Sequence, residues 1–407
     1  MQQQNNSAKV AGIVLIVLAI ITAAVVAYHN SSKSHQPIVF SDRSMLDGLW
    51  NYHKLIYIDA TTGRTVDHDR GNSSTSEGEG YEMLRSVWWD DKPEFDRAWG
   101  WAKAVLQHTG SDHLFSWYYS QLPNGNFGIN TAIGAQNSAS DADEDIALAL
   151  IFANDRWQDS NYSDAAKLLI SDIWKNEVVI INGKPYLTAD NVEKSSGASV
   201  VLVNPSYFAP YAYRIFAKYD PNDNWNGLVD SSYQVLAASM SSKLDKNASS
   251  GLPPDWITIN RKTGAINPVN DPNFNTDYSF DAIRVPFRIG LDYMWFQDSR
   301  AKQLLSQMGF LDQQWIQNQM LYTDYAHDGS VVGRTEAPSA YGGNLAYFVV
   351  NDKKSAAQIF QNKLKVLYSP DTNAWKNNLT YYDDAWAWLG MAYYDNFLIN
   401  LDQSNAK

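Results

Sequence analysis

The chain of 407 residues is 45% apolar and 19% charged, which is long and apolar enough to bury one large core. Its formal net charge of −12 argues against a nucleic-acid partner, because binding a phosphate backbone needs a basic face. The absence of cysteine excludes disulfides, a thiol nucleophile and a Cys-ligated zinc ion.

Residues 10–27 form an apolar run that only Thr22 interrupts, and a run of this length can just span a bilayer. Two interpretations compete: a signal peptide cleaved after Ala27, and an uncleaved anchor, which we favour because no polar stretch precedes Tyr28. We therefore predict a transmembrane anchor or signal peptide in residues 1–28, with membrane contact through residues 10–28. Residues 29–37 read as a polar linker. Either interpretation places the rest outside the cytoplasm, on the cell membrane or secreted.

Residues 38–407 contain no strong Pro/Gly-rich break and are predicted to form one domain dominated by amphipathic helices, beginning with the helical spacing of Tyr81, Leu84 and Trp88. Further helical candidates are 206–218, 229–242, 282–296, 299–307, 312–320, 354–367 and 384–399. About a dozen helices in hairpin succession predict an all-α fold, either an α/α barrel or another helical array. A small β-hairpin excursion is expected at 177–187, where Asn182-Gly183 separates two strand-like segments.

The first of three acidic segments is Ser76-Glu77-Gly78-Glu79-Gly80-Tyr81. Ser76 and Glu79 have the spacing of a capping box, so a helix should begin here with Glu77 in its first turn. Glu77 would then present a carboxyl group at the helix start, where it can serve as a functional acid. The alternative is an ordinary acidic first turn that complements the helix dipole.

The second segment, 139–147, carries four carboxylates within five residues: Asp141, Asp143, Glu144 and Asp145. Asp141 and Asp145 share a helical face, whereas the other two point elsewhere. The alternative to a functional cluster is a solvated acidic helix start. The segment lacks the pattern of a calcium loop, so no metal site is predicted.

The third segment, 278–288, places Asp281 and Arg284 one helical turn apart among aromatic residues. A structural ion pair at a helix start would explain this spacing equally well. Elsewhere, 15 Trp, 24 Tyr and 15 Phe should mostly fill the core. A minority lining a groove would suit sugar rings, and Trp117 is the candidate.

Taken together and in this order, the three segments resemble glycoside hydrolase family 8, whose members include endoglucanases, lichenases, chitosanases and exo-oligoxylanases. Residues 76–81 resemble the family's acid motif S-E-G-x-G-Y, and residues 139–157 fit its A-[ST]-D-[AG]-D signature over 19 positions. Residues 204–208 are similar to its N-P-S-Y segment, and residues 280–284 to its Y-D-A-x-R segment. The resemblance covers most of the chain after the N-terminal segment.

The resemblance implies an (α/α)6 barrel with the active groove across one end, preceded here by the N-terminal transmembrane or signal helix. It implies Glu77 as proton donor, Asp281 as base and Asp141 as the residue that binds and helps distort the sugar at the cleavage point. Tyr207 and Arg284 map onto a tyrosine and an arginine near the base and are expected to bind substrate. The family inverts anomeric configuration without a metal or an organic cofactor, so no cofactor is expected.

Two positions depart from the family pattern. Phe280 stands where many members carry Tyr, so a hydroxyl near the base is missing unless Tyr278 supplies it. Glu82 stands where Gly is usual and places a carboxylate behind the start of the helix that carries Glu77. Both leave the substrate preference open.

We therefore predict that residues 38–407 are the catalytic domain of a bacterial, monomeric glycoside hydrolase. Its partner would be a β-linked polysaccharide or oligosaccharide, in the first place a β-1,4-glucan. The alternatives are a non-catalytic carbohydrate-binding protein on the same barrel and an enzyme of this family acting on xylan or chitosan. Within the enzyme class, Glu336 in the Gly-rich stretch 329–343 is the alternative base. A polysaccharide lyase or a family 15-type glucosidase has no support from the motif order.

Overall fold

A computed structural model describes residues 43–402. The predicted anchor or signal peptide and the polar linker lie outside these residues. Between residues 43 and 402, no helix combines the length and apolar character needed to cross a membrane.

Fourteen α-helices make up most of this described part. In chain order they are α1 (Arg43–Tyr57), α2 (Ser76–Trp89), α3 (Lys92–Trp101), α4 (Ser140–Trp157), α5 (Ser160–Glu177), α6 (Asn191–Ser195), α7 (Pro210–Tyr219), α8 (Trp225–Ser241), α9 (Arg284–Phe296), α10 (Ser299–Gln307), α11 (Gly309–Asn318), α12 (Pro338–Asn351), α13 (Lys353–Ile359) and α14 (Tyr381–Tyr394). The predicted helices agree with these bounds to within a few residues at most ends, so the mostly helical prediction is confirmed.

Helices that are buried along most of their length alternate along the chain with helices buried on one face. The first kind comprises α2, α4, α7, α9, α12 and α14; in α4, for example, every residue from Ser140 to Ala153 is buried. The second kind is represented by α5, in which six of eighteen residues are buried. This alternation is the pattern of inner and outer helices that the (α/α)6 prediction requires.

The six inner helices pack in sequence order, each against the next. Tyr81 of α2 meets Trp386 of α14 edge to face at 5.6 Å between ring centroids, which closes the ring. Between α12 and α14 the backbones approach so closely that a Cβ on Gly342 would overlap the carbonyl oxygen of Trp386. Only glycine fits at this crossing.

Short antiparallel strands occupy the connections between helices. They are β1 (Ser74–Thr75), β2 (Tyr118–Gln121), β3 (Phe127–Gly128), β4 (Val178–Ile181), β5 (Lys184–Leu187), β6 (Val200–Val203), β7 (Ile257–Asn260), β8 (Ile266–Asn267), β9 (Asp324–Tyr325), β10 (Val331–Gly333), β11 (Tyr368–Ser369) and β12 (Ala374–Trp375). The predicted hairpin is β4–β5, with positive φ at both Asn182 and Gly183, as a two-residue hairpin turn requires. The other strand pairs were not predicted, because their segments span only two to four residues and none of these pairs is joined by a two-residue turn.

The N-terminal ends of the inner helices meet at one end of the ring. Glu77 and Asp141 are the second residues of α2 and α4, Arg284 is the first residue of α9, and Tyr382 stands in the first turn of α14. Tyr207 lies just before α7 and contacts Arg284. Helix N-termini carry partial positive charge, so this end of the ring favours the acidic side chains gathered there.

Candidate active site

The helix that carries Glu77 is capped differently from the prediction. Thr75 is the N-cap residue, and its Oγ1 accepts a hydrogen bond from Gly78 N at 2.9 Å. Glu79 does not complete a capping box with Ser76: its buried carboxyl accepts from the backbone N–H and the hydroxyl of Thr65, both at 2.8 Å. The predicted capping box is therefore wrong, although the helix begins where it was predicted.

A single guanidinium, that of Arg284, joins the three predicted carboxylates. Its Nη1 donates to Glu77 Oε1 at 2.6 Å and to Asp141 Oδ2 at 3.1 Å, and its Nη2 donates to Asp281 Oδ1. The hydroxyl oxygen of Ser206 accepts from Nη2 at 2.8 Å and from Nε at 3.1 Å. The three acidic segments, far apart in the sequence, therefore meet at one buried cation.

The carboxylates of Glu77 and Asp281 face a cavity of about 410 Å³. Their side chains are 27% and 32% exposed, whereas those of Asp141 and Arg284 are only 2% and 3% exposed. The cavity is also lined by Arg70, Thr75, Phe280, Thr380, Tyr382 and Asp383. Two accessible carboxyls above a buried Asp–Arg pair leave room for a ligand between them.

The electrostatics of the cluster favour keeping a proton on it near neutral pH. Burial raises the pKa of Asp141 to about 7, with Arg284 opposing and Glu77 adding to the shift. Burial likewise raises the pKa of Asp281, and Arg284 opposes that shift too. Neighbouring carboxyls that share a single cation do not ionise independently, and this coupling allows acid and base roles to be divided between them.

Two predicted binding residues occupy different places around the cluster. The ring of Tyr207 lies 5.2 Å from the Arg284 guanidinium carbon, so it contacts the cluster directly. Trp117 stacks on Tyr118 at 4.7 Å, and its carbonyl oxygen accepts from Ser76 N at 3.2 Å, next to Glu77. Trp117 thus lies beside the start of α2 and does not line the cavity itself.

The hydroxyl missing at Phe280 is not replaced by Tyr278, whose side chain is buried and donates to Asn344. Instead the hydroxyl of Tyr382, on α14, reaches the backbone carbonyl oxygen of Phe280. Both rings line the cavity, and Phe280 is 49% exposed there. An exposed apolar ring at the mouth of a polar cavity is a surface on which a sugar face can stack.

The four carboxylates of 141–145 are all buried, so the solvated helix start considered above is wrong. Each has its own partner: Arg284 for Asp141, Phe115 N and Glu177 for Asp143, Tyr213 for Glu144, and Arg288 for Asp145. Asp141 and Asp145 do share a face, and their partners Arg284 and Arg288 have the same four-residue spacing on α9. This doubled ion pair fixes the register of α4 against α9.

Asp143 and Glu177 are two buried carboxyls within hydrogen-bonding reach of each other. Burial raises the pKa of both, that of Glu177 to about 8, and Glu177 raises that of Asp143 further. In the unfolded chain both would ionise near pH 4. The stability that this pair contributes is therefore complete below about pH 4 and is lost as the pH rises through about 8.

Asp143→Asn should make the free energy of unfolding less dependent on pH between about pH 5 and 8, because an amide donates to Glu177 without needing a proton. The slope should fall by up to about 1.4 kcal/mol per pH unit, the value for one proton. Urea unfolding across this range measures it. Asp164→Asn, which removes an exposed carboxylate from α5, is the control. Equal slopes of unfolding free energy against pH for the wild type and Asp143→Asn would contradict the proposal that Asp143 and Glu177 hold a proton between them in the folded chain.

The carboxylate of Glu82, at a position where the family pattern has Gly, pairs with a buried histidine. His53 Nε2 lies 2.9 Å from Glu82, and its Nδ1 lies 2.6 Å from Asp384. Burial and Arg85 lower the pKa of His53, but the two carboxylates outweigh them and raise it. The extra carboxylate therefore belongs to a buried ion network between α1, α2 and α14 and does not reach the cavity.

Glu336, the alternative base, does not contact the cluster around Arg284. Its carboxylate accepts from the hydroxyl of Tyr341 and pairs with Lys363 Nζ at 2.5 Å. Among residues 43–402, no three His, Asp or Glu side chains are arranged to hold a metal ion.

Sequence reasoning did not identify Ser206, Asp255, Trp256 or Tyr382 as site residues. Ser206 lies inside the N-P-S-Y segment and could have been found there. Asp255 and Trp256 stand in an ordinary-looking loop, and only the folded chain brings them to Asp281.

Comparison with known proteins gives one consistent result. The family model described as "Glycosyl hydrolases family 8" matches residues 25–394. Endoglucanase A of Acetivibrio thermocellus is 30% identical over 73% of this chain and 60% of its own length. Endoglucanase 2 of Ruminiclostridium josui is 33% identical over 64% of this chain and 53% of its own length. The matched region thus spans little more than half the length of these curated relatives.

Among solved structures, an endo-1,4-D-glucanase from Vibrio fischeri ES114 superposes with a TM-score of 0.73. It is 24% identical, and the match covers 85% of this chain and 94% of that one. At this identity the likeness shows a common fold.

Proposed function

The chain belongs to glycosyl hydrolases family 8, and we propose that it hydrolyses a β-linked polysaccharide or oligosaccharide, in the first place a β-1,4-glucan, on an (α/α)6 barrel. One observation carries this proposal: Glu77, Asp141 and Asp281 converge on the guanidinium of Arg284 beside an accessible cavity. Two carboxyls facing one cavity are what hydrolysis of a glycosidic bond by acid–base chemistry requires.

In the proposed reaction Glu77 donates its proton to the glycosidic oxygen while the bond from that oxygen to the anomeric carbon breaks. Asp281 takes a proton from a water molecule, whose oxygen forms the new bond to the anomeric carbon from the opposite face. The configuration is therefore inverted. Asp141 and Tyr207, which lie against Arg284, would bind the sugar ring at the cleavage point. No cofactor takes part in these steps.

Inversion is taken from the resemblance to family 8, and the placement of the two carboxyls is compatible with it. Glu77 and Asp281 bind different terminal nitrogens of Arg284, so the planar guanidinium separates them. An inverting enzyme needs its carboxyls roughly 6.5–9.5 Å apart, so that a water molecule fits between the base and the sugar. Direct carboxyl contact, as in a shared-proton pair, would leave no space for that water.

The deciding experiment is a panel of defined cello-, mixed-linkage, xylo- and chitosan oligosaccharides, with the first-formed product anomer read by NMR. Hydrolysis of a β-1,4-glucan with an α-configured product is expected. A β-configured first product would contradict inversion, and strong binding without any product would favour the carbohydrate-binding alternative. Cleavage restricted to xylan or chitosan would keep the reaction and change the substrate.

The base is identified by chemical rescue. Asp281→Ala is expected to lose at least about 100-fold in turnover, as removal of a general base usually costs. Added azide should restore activity, because the small anion enters the space left by the carboxylate and attacks the anomeric carbon. Rescue of Glu336→Ala by azide, without rescue of Asp281→Ala, would identify Glu336 as the base.

For localisation we keep the prediction of an extracytoplasmic enzyme, tethered to the cell membrane or secreted. Its support is the apolar run 10–27, which lies outside the described residues. Fractionation of cells expressing the full chain, followed by sequencing of the N-terminus, separates an anchored from a cleaved form.

A further inference from the structure

Of the loop residues Asp255 and Trp256, the second contacts the Asp281 carboxylate and the first contacts the backbone on either side of Asp281. Trp256 Nε1 donates to Asp281 Oδ2 at 3.0 Å, while Arg284 Nη2 holds Oδ1. Each oxygen of the carboxylate therefore has its own protein donor, and the side chain of Asn204 is a further hydrogen-bond partner of Asp281. The Trp256 ring is fixed in turn between Phe274, at 4.6 Å, and Tyr207, at 5.9 Å.

Asp255 contacts the backbone of the turn that carries Asp281. Its Oδ1 accepts from Ala282 N at 2.7 Å and from Ser279 N at 3.1 Å, and its Oδ2 accepts from the hydroxyl of Ser279. The side chain is only 3% exposed. Three hydrogen bonds to residues on both sides of Asp281 leave this turn little freedom, although no helix or strand contains it.

The charges around Asp281 come from several elements of the fold. Arg284 faces it from α9, Glu77 from α2, Asp255 from the segment before β7, and the hydroxyls of Tyr207 and Tyr382 from the starts of α7 and α14. Arg284 is the one cation in this set, and it also serves Glu77 and Asp141. The neutral indole N–H of Trp256 is therefore a donor that acts on Asp281 alone.

We propose that Asp255 and Trp256 are positioning residues for the base: Asp255 fixes the turn 279–282, and Trp256 orients and stabilises the ionised carboxylate of Asp281. This inference rests on the proposed function in one respect, namely that Asp281 is the base. The contacts themselves do not depend on the substrate.

Trp256→Phe tests the proposed role of Trp256, because it keeps the ring packing and removes the N–H donor. Hydrogen bonding to the charged form lowers the pKa of Asp281, so its loss should raise that pKa. The acid limb of the kcat/KM profile on a cello-oligosaccharide should therefore move to higher pH, with the alkaline limb unchanged. An acid limb that coincides with that of the wild type would overturn the role of Trp256.

Trp157→Phe is the matched control. Its indole N–H also donates to a carboxylate, Asp90 Oδ1 at 2.7 Å, but at the far end of α4. Its pH profile should follow that of the wild type. If the acid limb shifts equally in both variants, a general loss of packing causes the shift and the proposal fails.

A titration without substrate separates this inference from the proposed function. The carboxyl carbon of Asp281 is followed by 13C NMR in the free protein and assigned by its loss in Asp281→Asn. Trp256→Phe should move the titration midpoint upwards even if no sugar is hydrolysed. A midpoint that does not move would overturn the inference whatever the substrate proves to be.

Asp255 is tested by a conservative pair of variants. Asp255→Asn keeps an oxygen acceptor for Ser279 N and Ala282 N and should retain kcat within about threefold. Asp255→Ala removes the hydrogen bonds to Ser279 and Ala282. It should lower kcat by about 100-fold, the cost of displacing a catalytic group by roughly 1 Å. KM should change little. Equal kcat in Asp255→Ala and the wild type, with both folded by circular dichroism, would overturn the positioning role.

Discussion

Glu77→Gln is expected to lower kcat on a β-1,4-linked oligosaccharide by about 10³-fold, within the range of 10² to 10⁴ for loss of a general acid. The amide is isosteric and can still accept from Arg284 and Tyr81, so the fold should be retained. What it cannot do is protonate the departing glycosidic oxygen. Steady-state kinetics on the oligosaccharide, with circular dichroism to confirm folding, measure the effect.

A second substrate with a better leaving group provides the control for Glu77→Gln. An aryl β-glycoside with a nitrophenolate leaving group needs no proton to depart, so Glu77→Gln should hydrolyse it at nearly the wild-type rate. A loss limited to the oligosaccharide identifies the acid. Equal losses on both substrates would mean that Glu77 binds or positions the sugar and that another group supplies the proton.

The sequence predicted those features that depend on residues close together in the chain. Helix positions followed from apolar spacing within windows of about fifteen residues, and the Asn182-Gly183 turn followed from two residues. The match over 139–157 identified Asp141 because that motif is continuous in the chain. The spacing of Asp281 and Arg284, three residues apart, likewise predicts an ion pair. It does not reveal that Glu77 and Asp141 bind the same guanidinium.

The features that were missed depend on residues far apart in the chain. Glu79 has capping-box spacing with Ser76, yet its carboxyl binds Thr65, which packs against α2 only in the folded chain. Asp143 and Glu144 read as solvated because Glu177 and Tyr213, their partners, lie more than thirty residues away. A local acidic pattern cannot distinguish solvation by water from burial against distant donors.

Removal of the shared cation should have the largest effect on stability. In Arg284→Met the side chain keeps much of its apolar volume, but Glu77, Asp141 and Asp281 lose their common partner. Breaking a buried ion pair from one side typically costs about 3–5 kcal/mol, because the remaining charges are left uncompensated. We expect a loss of this size at pH 8, measured by urea unfolding, together with loss of hydrolysis.

The pH dependence of this loss distinguishes electrostatics from packing. Arg284 lowers the pKa of both Asp141 and Asp281 against burial, so in the variant both carboxyls should bind protons at higher pH. Protonation removes the uncompensated charge, and the destabilisation should therefore be smaller at pH 5 than at pH 8. Arg300→Met, which breaks ion pairs of a guanidinium that is 40% exposed, should cost less than about 1 kcal/mol at either pH. A loss in Arg284→Met that is the same at both pH values would assign the role of Arg284 to packing, and the three carboxylates would then need no common cation.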